Sequence, residues 1–340
     1  MNRIYLTIAI SFSILFAYSD CEAKQEHLIQ GRTMGTTYHI QVVTGSLHGI
    51  PGLQEKIGKR LDEINRSMST YIRDSEISRF NRFRQVGVKF KITDDFFKVM
   101  KAGENIYQLS DGAWDATINP LVDLWGFGRK GTTRVIPPHN EILRRVASVG
   151  FDSIEIREPG FLLKKHAAVT LDLSSIAKGY GVDAIAKLIG NQGFQNYLVE
   201  IGGEVFAAGV RKDGKQWRIG INRPRKDAAV NAVYRVVNLQ NRAFATSGDY
   251  RNFFEVNGVR YSHIINPQTG YPVSNGVVGV SILAGDCTFA DGLATAIMVL
   301  GHQKGLELIN RLTDVEGLIV VEKPDGTLVD YASRGFKADK

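Results

Sequence analysis

A run of small, acidic and hydroxyl residues in the middle of the chain has the composition of an anion-binding helix start. Residues 169–183 read V-T-L-D-L-S-S-I-A-K-G-Y-G-V-D. The pattern predicts a buried strand that ends at Asp172, a helix capped by Ser174 or Ser175, and Lys178 in the first turns of that helix. Free backbone N–H groups at such a helix start, together with a cation, suit a phosphate or pyrophosphate. An ordinary serine-capped helix accounts for the same residues equally well.

A second segment, F-A-D-G-L-A-T-A-I-M-V-L-G at residues 289–301, brings two oxygen ligands to one helix face. Asp291 and Thr295 are four residues apart, so both side chains project from the same side of a helix. Hard oxygen ligands of this kind suit Mg²⁺. On the residues alone the favoured interpretation is a different one, in which Asp291 caps the helix and Thr295 bonds back to a backbone carbonyl.

His263 is a candidate site residue because it precedes a turn that could border a cleft. It lies in Y-S-H-I-I-N-P-Q-T-G-Y-P-V, residues 261–273, where an apolar strand runs into an Asn-Pro turn. A single histidine in a strand is more often structural than catalytic. Tyr71 and Trp114 carry rings that could stack on a flat ligand, although each ring by itself is better explained by core or surface packing.

Several widespread catalytic signatures are absent from the chain. The sequence contains no G-x-x-x-x-G-K-[ST], H-E-x-x-H, C-x-x-C or G-x-S-x-G motif, and no G-x-G-x-x-G motif after a predicted strand. Their absence argues against a P-loop enzyme, a Rossmann dehydrogenase and a zinc hydrolase. The two cysteines are Cys21 and Cys287. If Cys21 is removed or lipidated, no structural disulfide is expected, and Cys287 fits a small buried side chain.

The elements that must position these residues are amphipathic helices and short strands. Helical spacing predicts helices over residues 53–64, 94–109, 138–149, 174–189, 289–300 and 304–312. Apolar or alternating runs predict strands over residues 38–44, 153–157, 161–164, 168–173, 197–210, 217–222, 233–239, 253–256 and 277–283. Short turns and a hairpin through residues 324–326 favour antiparallel pairing. Without a βαβ alternation, a repeat or a flexible linker, the chain is predicted to be one domain of the α+β class.

Residues 1–23 have the layout of an export signal. A basic start precedes an apolar run over residues 4–17, which is short for a membrane span, and small and polar residues that suit cleavage follow. A lipoprotein signal that attaches a lipid to Cys21 is the alternative. We therefore expect an exported, periplasmic protein, either free or tethered to the inner membrane at Cys21, whose mature domain covers residues 24–340.

The overall composition describes a globular protein with a basic surface. Of the 340 residues, 44% are hydrophobic and 23% are charged, which leaves enough apolar material for a sizeable core. Lys and Arg number 42 against 35 Asp and Glu, a net charge of +7, without a dense basic run. This distribution argues against a dedicated nucleic-acid binder and is compatible with an anionic small ligand or an acidic membrane surface.

Eight short motifs follow one another along the chain in a defined order. They are T-M-G-T-T-Y, M-S-T-Y, G-A-W-D-x-T-x-x-P-L-V-x-L-W-G-F-G, D-L-S-S-I-A-K-G-Y-x-V-D, E-I-G-G-E, S-G-D-Y, Y-S-H-I-I-x-P-x-T-G-x-P and A-D-x-L-A-T-A. This order closely resembles the ApbE family, whose members are FAD:protein FMN transferases. The resemblance runs from about residue 31 to about residue 335, essentially the whole mature chain.

The resemblance implies an α+β fold related to the T-fold, with antiparallel sheets and packed helices in two lobes around a flavin cleft. It implies that FAD is held by Met34, Tyr71, Ala113, Trp114, Asp115, Asp172, Lys178 and Ile265. It also implies that Mg²⁺ is bound by the side chains of Asp291 and Thr295 and by backbone oxygens near Ser175 and Ala294. This ligand set reverses the helix-cap interpretation of Asp291.

The reaction that the resemblance implies is the transfer of FMN from FAD to a Thr or Ser hydroxyl of an acceptor protein. His263 matches the family's essential histidine and would orient or deprotonate that hydroxyl, a role that Asp249 could share. With Mg²⁺ on the pyrophosphate, a phosphoester forms and AMP leaves. The implied acceptors carry an S/T-G-A-T-like motif, as in subunits of sodium-translocating quinone reductases and related redox complexes. Hydrolysis of FAD to FMN and AMP, and flavin binding without turnover, are the alternative functions.

Overall fold

The structure, a computed structural model, describes residues 24–45, 49–128, 134–225, 228–229, 232–250 and 252–339. The export signal that the sequence predicts over residues 1–23 lies outside the described residues. Within the described part, no helix combines the length and the apolar composition that crossing a membrane requires.

Fifteen strands and eight α-helices are formed by the described residues. In chain order they are β1 (Gln25–Thr33), β2 (Thr36–Thr44), α1 (Leu53–Met68), α2 (Glu76–Arg82), β3 (Phe90–Lys91), α3 (Asp94–Leu109), α4 (Asn119–Leu124), α5 (His139–Val146), β4 (Ile154–Arg157), β5 (Phe161–Lys164), α6 (Ala177–Asn191), β6 (Asn196–Ile201), β7 (Glu204–Ala208), β8 (Trp217–Asn222), β9 (Val233–Leu239), β10 (Arg242–Gly248), β11 (Phe253–Val256), β12 (Val259–Ser262), β13 (Val277–Ala284), α7 (Cys287–Leu300), α8 (His302–Arg311), β14 (Glu316–Glu322) and β15 (Leu328–Ala332).

The larger lobe is built on one eight-stranded antiparallel sheet in the order β1-β2-β6-β7-β10-β13-β14-β15. Residues of α6, α7 and α8 share a buried cluster with one face of this sheet. The β8–β9 ribbon packs on the opposite face, where Trp217 and Val237 meet Phe244 and Leu318. All eight residues of β13 are buried, because both faces of this central strand are covered.

The smaller lobe combines the three-stranded sheet β3-β5-β4 with helices α2 and α3. Its core contains Phe80 and Phe96, which are fully buried. Helix α1 joins the two lobes, since Ile57 belongs to the core of the larger lobe and Ile64 to the core of the smaller one. The predicted α+β fold with two lobes is confirmed, and the cleft between the lobes carries the site described below.

A separate aromatic cluster supports the hairpin formed by β11 and β12. The indole of Trp125, just after α4, stacks on Tyr261 with ring centroids 5.7 Å apart, and Tyr261 stacks on Phe254 at 5.3 Å. The Trp125 indole also donates to the backbone oxygen of Gly270 at 2.8 Å. These contacts fix the position of the chain where it leaves β12 and reaches His263.

Most elements were predictable from periodicity, and α3, β5, β8, β9 and β11 have the predicted bounds. The strand predicted over residues 168–173 is wrong. The side chain of Asn81 bonds to both backbone groups of Leu171, at 2.7 and 2.8 Å, and so replaces a ladder partner. The run predicted over residues 197–210 is two strands, β6 and β7, because the chain reverses at Gly202 and Gly203 with positive φ.

The prediction of a serine cap on the helix after Asp172 is also wrong. Helix α6 begins at Ala177, its N-cap residue is Ile176, and no side chain caps it there. Ser174 donates its backbone N–H to Asp172 at 2.8 Å instead. The hydroxyl of Ser175 accepts a hydrogen bond from Trp114.

Candidate active site

Two adjoining cavities occupy the cleft between the lobes. The first has a volume of about 400 Å³ and the second of about 550 Å³, and they meet at Asp172, Ser174 and Lys178, which line both. The predicted site residues on the first cavity are Ala113, Trp114, Asp115, Asp172, Ser175, Lys178, His263, Ile265, Asp291 and Thr295. The second cavity is lined by Met34 and Tyr71. The tertiary structure therefore brings together residues that are spread over most of the chain.

The ammonium of Lys178 lies between two buried carboxylates. Its Nζ is 2.9 Å from Oε1 of Glu204 and 3.5 Å from Oδ1 of Asp291. Burial by itself would lower the pKa of Lys178, but the two carboxylates outweigh burial and raise it, so the ammonium stays charged. Burial raises the pKa of Glu204 and of Asp291, and Lys178 opposes the shift in both.

Asp291 does not cap its own helix. The cap of α7 is Asp286, whose Oδ1 accepts the backbone N–H of Phe289 at 2.8 Å. The Oδ2 of Asp291 accepts the backbone N–H of Gly179 in α6 at 2.9 Å. Thr295 bonds to the hydroxyl of Ser247 at 2.9 Å, which adds a third oxygen beside the pair. The cap interpretation of Asp291 is therefore wrong.

The close approach of α6 and α7 depends on a glycine. A Cβ at Gly179 would lie 2.2 Å from the backbone oxygen of Cys287, a distance that no side chain can occupy. The absence of a side chain lets Asp291 reach the first turn of α6. The same contact brings Asp291 within 3.5 Å of Lys178.

Trp114 and Asp115 organise the loop that borders the first cavity. The Trp114 side chain is 2% exposed, and its indole N–H donates to Oγ of Ser175 at 2.9 Å. Asp115 accepts the backbone N–H groups of Thr117 at 2.7 Å and of Phe151 at 3.0 Å. Burial raises the pKa of Asp115, although these hydrogen bonds oppose the shift. Both side chains hold the loop in place through their own bonds to the protein.

The imidazole of His263 is held in its neutral form. Its Nδ1 lies 3.1 Å from the backbone oxygen of Asn252, which can only accept, so Nδ1 carries the proton and Nε2 has a lone pair. Burial lowers the pKa of His263, and the positive charges of Lys178 and Arg134 act in the same direction, although the Asn252 carbonyl opposes them. His263 is therefore neutral near pH 7.

Asp249 and Ala294 line neither of the two cavities. Asp249 is 5% exposed at the end of β10, and its Oδ2 lies 3.4 Å from Arg260. Its Oδ1 has no hydrogen-bond partner among the described residues. Burial raises the pKa of Asp249 to about 6, while Arg260 opposes the shift. Ala294 is fully buried within α7.

Met34 and Tyr71 both line the second cavity. Met34 lies in the turn between β1 and β2 with a φ of 49°, and its methyl group abuts Gly181 of α6. Tyr71 follows α1 and its side chain is 72% exposed. The ring of Tyr71 is therefore available for contact with a ligand.

Sequence reasoning did not single out Glu204 or Ser247, both of which line the first cavity. Glu204 is the last residue of the E-I-G-G-E motif, and Ser247 begins S-G-D-Y. One signal could have pointed to Glu204: it is an acidic residue at the start of an apolar strand. An ionised side chain is rarely buried without a partner, so such a residue indicates a buried ion pair. Its partner, Lys178, is too distant in sequence for spacing to reveal.

The fold and the site define a class of protein: a two-lobed α+β protein whose cleft joins a half-buried cation, two buried carboxylates, hydroxyl groups and a neutral histidine. The model of the ApbE family matches residues 34–319. The chain belongs to the ApbE family.

Curated relatives and solved structures agree with this assignment. The chain is 41% identical over 331 residues to a FAD:protein FMN transferase of Vibrio cholerae, with 97% of each chain covered. It is 39% identical to a FAD:protein FMN transferase of Haemophilus influenzae, covering 97% of this chain and 96% of that one. The solved structure of the flavin transferase ApbE from Vibrio cholerae has a TM-score of 0.84 at 40% identity, covering 92% of this chain and 98% of that one. The apo form of the Pseudomonas stutzeri flavinyl transferase ApbE has a TM-score of 0.83 at 36% identity, covering 92% and 96%.

Proposed function

We propose that this protein transfers FMN from FAD to a hydroxyl group of an acceptor protein. The observation that carries the proposal is the cleft itself, in which two cavities meet at Lys178 and one of them contains His263 as a neutral base. Curated relatives that match 97% of the chain are FAD:protein FMN transferases.

The size and division of the cleft suit a dinucleotide. Cavities of about 400 and 550 Å³ fall within the range of small-molecule sites. FAD has two large ends joined by a pyrophosphate, and Lys178 at the junction supplies a positive charge for that group. Met34 and Tyr71 would contact one end, and Ala113, Trp114, Asp115 and Ile265 the other.

His263 would act on the nucleophile. The Nε2 lone pair accepts the proton of an incoming Thr or Ser hydroxyl, whose oxygen attacks the phosphorus on the FMN side. The bond between that phosphorus and the bridging oxygen breaks, and AMP leaves with the electron pair of that bond. The product is a phosphoester between FMN and the acceptor. Asp249 lies outside the cavity beside Arg260, so we assign the base role to His263.

The oxygen-rich donor set also fits Mg²⁺. Asp291 and Thr295 supply a carboxylate and a hydroxyl, and backbone oxygens near Ser175 and Ala294 would complete the set. Oε2 of Glu204 is buried and has no hydrogen-bond partner within the described part of the chain. A cation bound nearby would stabilise the charge of this carboxylate. Bound Mg²⁺ would neutralise charge on the pyrophosphate. Among the described residues no group of three or more His, Cys, Asp or Glu side chains could hold a metal, so hydroxyl and backbone oxygens must contribute.

The proposed location and partners rest on the sequence alone. The layout of residues 1–23 supports export to the periplasm, with Cys21 as a lipid attachment site in the alternative. An enzyme in that compartment would act on acceptors with an S/T-G-A-T-like motif, such as subunits of sodium-translocating quinone reductases or related redox complexes.

A single assay separates the proposed function from its alternatives. Residues 24–340 are mixed with FAD, Mg²⁺ and a threonine peptide that bears the acceptor motif, and the peptide is analysed by mass spectrometry. We expect the peptide to gain FMN less one water, and the gain to disappear with EDTA or with Asp291→Ala. Free FMN and AMP with an unmodified peptide would instead indicate hydrolysis, and intact bound FAD would indicate flavin binding without turnover.

A further inference from the structure

The charges around Lys178 do not balance. Its single ammonium contacts Oε1 of Glu204 at 2.9 Å and Oδ1 of Asp291 at 3.5 Å. The side chains of both acids are only 3% exposed, so water contributes little to the stabilisation of their charges. Above the pKa of Glu204, which burial raises to about 8, one positive charge therefore serves two buried carboxylates.

Of the two carboxylates, that of Glu204 has fewer partners to stabilise its negative charge. Asp291 also receives the backbone N–H of Gly179 at 2.9 Å. By contrast, Oε2 of Glu204 is buried and has no hydrogen-bond partner within the described part of the chain. The residue begins β7 directly after the tight turn at Gly202, against which the stem of Lys178 packs. Glu204 is thus held close to the ammonium by the backbone.

The position of this unbalanced acid matters for substrate binding. Glu204 lines the same cavity as Lys178, Asp291 and Thr295. Under the proposed function this cavity receives part of a pyrophosphate, which carries negative charge of its own. Like charges close together in a partly desolvated site repel each other much more strongly than they do in water. An acid in such a position opposes the binding of the substrate anion.

We propose that Glu204 makes the binding of FAD dependent on a divalent cation. Without the cation, the carboxylate of Glu204 weakens the hold of Lys178 on the pyrophosphate. With the cation, the same carboxylate adds to the negative field that attracts it, so cation and FAD bind together. This inference rests on the proposed function, and it assigns to Glu204 a role in specificity that is separate from the chemical step.

The test measures FAD binding rather than turnover. The dissociation constant of FAD is determined from the change in flavin fluorescence, for the chain from residue 24 to 340, in EDTA and in excess Mg²⁺, at about pH 9, where the carboxyl of Glu204 is ionised. Wild type is expected to bind FAD much more tightly in Mg²⁺. In Glu204→Gln, which removes the charge and keeps the shape, metal-free binding should tighten about tenfold and the effect of Mg²⁺ should shrink.

Three variants separate charge from structure. Glu204→Asp keeps a carboxylate and should keep the strong Mg²⁺ dependence of wild type. Glu200→Gln makes the same change of charge on the same hairpin but outside the cavity, where the Glu200 side chain bonds to His39 and to the backbone N–H of Gly203. This variant should also bind FAD as wild type does. If thermal unfolding shows that Glu204→Gln does not fold, Glu204→Ala removes the same charge with a smaller side chain.

The outcomes for the two proposals differ. If wild type modifies the acceptor peptide while a charge-removing variant binds metal-free FAD no more tightly than wild type, the inference about Glu204 is wrong and the proposed function stands. If wild type binds no FAD in either condition, the proposed function itself fails.

Discussion

Asp183 and Asp291 each accept hydrogen bonds from the N-terminal end of the other residue's helix. Asp183, in α6, accepts the backbone N–H groups of Cys287 and Thr288 at 2.8 Å. Asp291, in α7, accepts that of Gly179 at 2.9 Å. The first N–H groups of a helix have no partner within the helix, so each carboxylate satisfies donors that would otherwise be buried and unpaired. This reciprocal pairing sets the spacing between the helices that carry Lys178 and Thr295.

The substitution Asp183→Asn is expected to destabilise the protein by about 1–3 kcal/mol. The amide that replaces one carboxylate oxygen cannot accept a hydrogen bond, so a donor of Cys287 or Thr288 loses its partner. Urea unfolding at pH 7 measures the loss. The control is Asp286→Asn, which changes the N-cap of α7. Because asparagine also caps helices, this substitution should lower the free energy of unfolding by about 1 kcal/mol at most. Equal effects of the two substitutions would contradict a special role for the pairing.

Removing the ammonium of Lys178 alone should destabilise the protein more than removing both this ammonium and the carboxylate of Glu204. Lys178→Met leaves two buried acids without their cation, for which we expect a loss of about 3 kcal/mol. Adding Glu204→Gln should recover part of that loss, because one uncompensated charge disappears. A double-mutant cycle from chemical unfolding gives the coupling. Lys187→Met, at an exposed position of the same helix, is the control and should change stability little.

The buried carboxyl of Asp249 should make stability depend on pH between about 4 and 6. Burial raises its pKa to about 6 in the native state, above its value near 3.9 in the unfolded chain. The native state therefore binds more protons in this window, and the stabilising contribution of Asp249 is present below pH 4 and lost as the pH rises to 6.

Unfolding free energies of wild type and Asp249→Asn, measured at several pH values, test this dependence. The stability of wild type relative to the variant should fall by about 2 kcal/mol from pH 4 to pH 7. The same comparison with Asp74→Asn, whose side chain is 84% exposed, should be nearly flat. A constant difference between wild type and Asp249→Asn would disprove the assignment.

The rate of FMN transfer should rise with pH and then level off. His263 must be neutral to accept a proton, and burial lowers its pKa below the ordinary value, so the midpoint should lie below 6.5. His263→Gln should lower the transfer rate by about 10²- to 10⁴-fold while FAD affinity is retained. A midpoint well above 6.5, or a loss of FAD binding in the variant, would argue against the base role.

Tyr71 should contribute to ligand binding and little to stability. Because its side chain is 72% exposed, Tyr71→Ala should change the unfolding free energy by no more than about 0.5 kcal/mol. Loss of a ring that stacks on FAD should weaken binding by about 1 kcal/mol, measured by fluorescence titration. Val88→Ala, at an exposed apolar position that lines neither cavity of the cleft, should leave FAD affinity as it is.

The sequence alone determined the local elements and the family. Helical periodicity located α3, and short apolar runs located strands such as β8 and β9 with the observed bounds. These features depend on neighbouring residues, whose spacing is visible in one dimension. The ordered motifs identified the family, which the comparisons confirmed. Most of the site residues that the resemblance implied line the cleft.

Only the tertiary structure decided which charged groups meet. The bond between Gly179 and Asp291 joins residues 112 positions apart, and it follows from the packing of α6 on α7 rather than from any local pattern. The folded chain also brings Glu204, in β7, to Lys178 and leaves Asp249 outside the cavity, next to Arg260. In the segment before α6, the side chain of Asn81 satisfied backbone groups that periodicity had assigned to a strand. Buried polar groups take whichever partner the folded chain places within reach, and that choice is made in three dimensions.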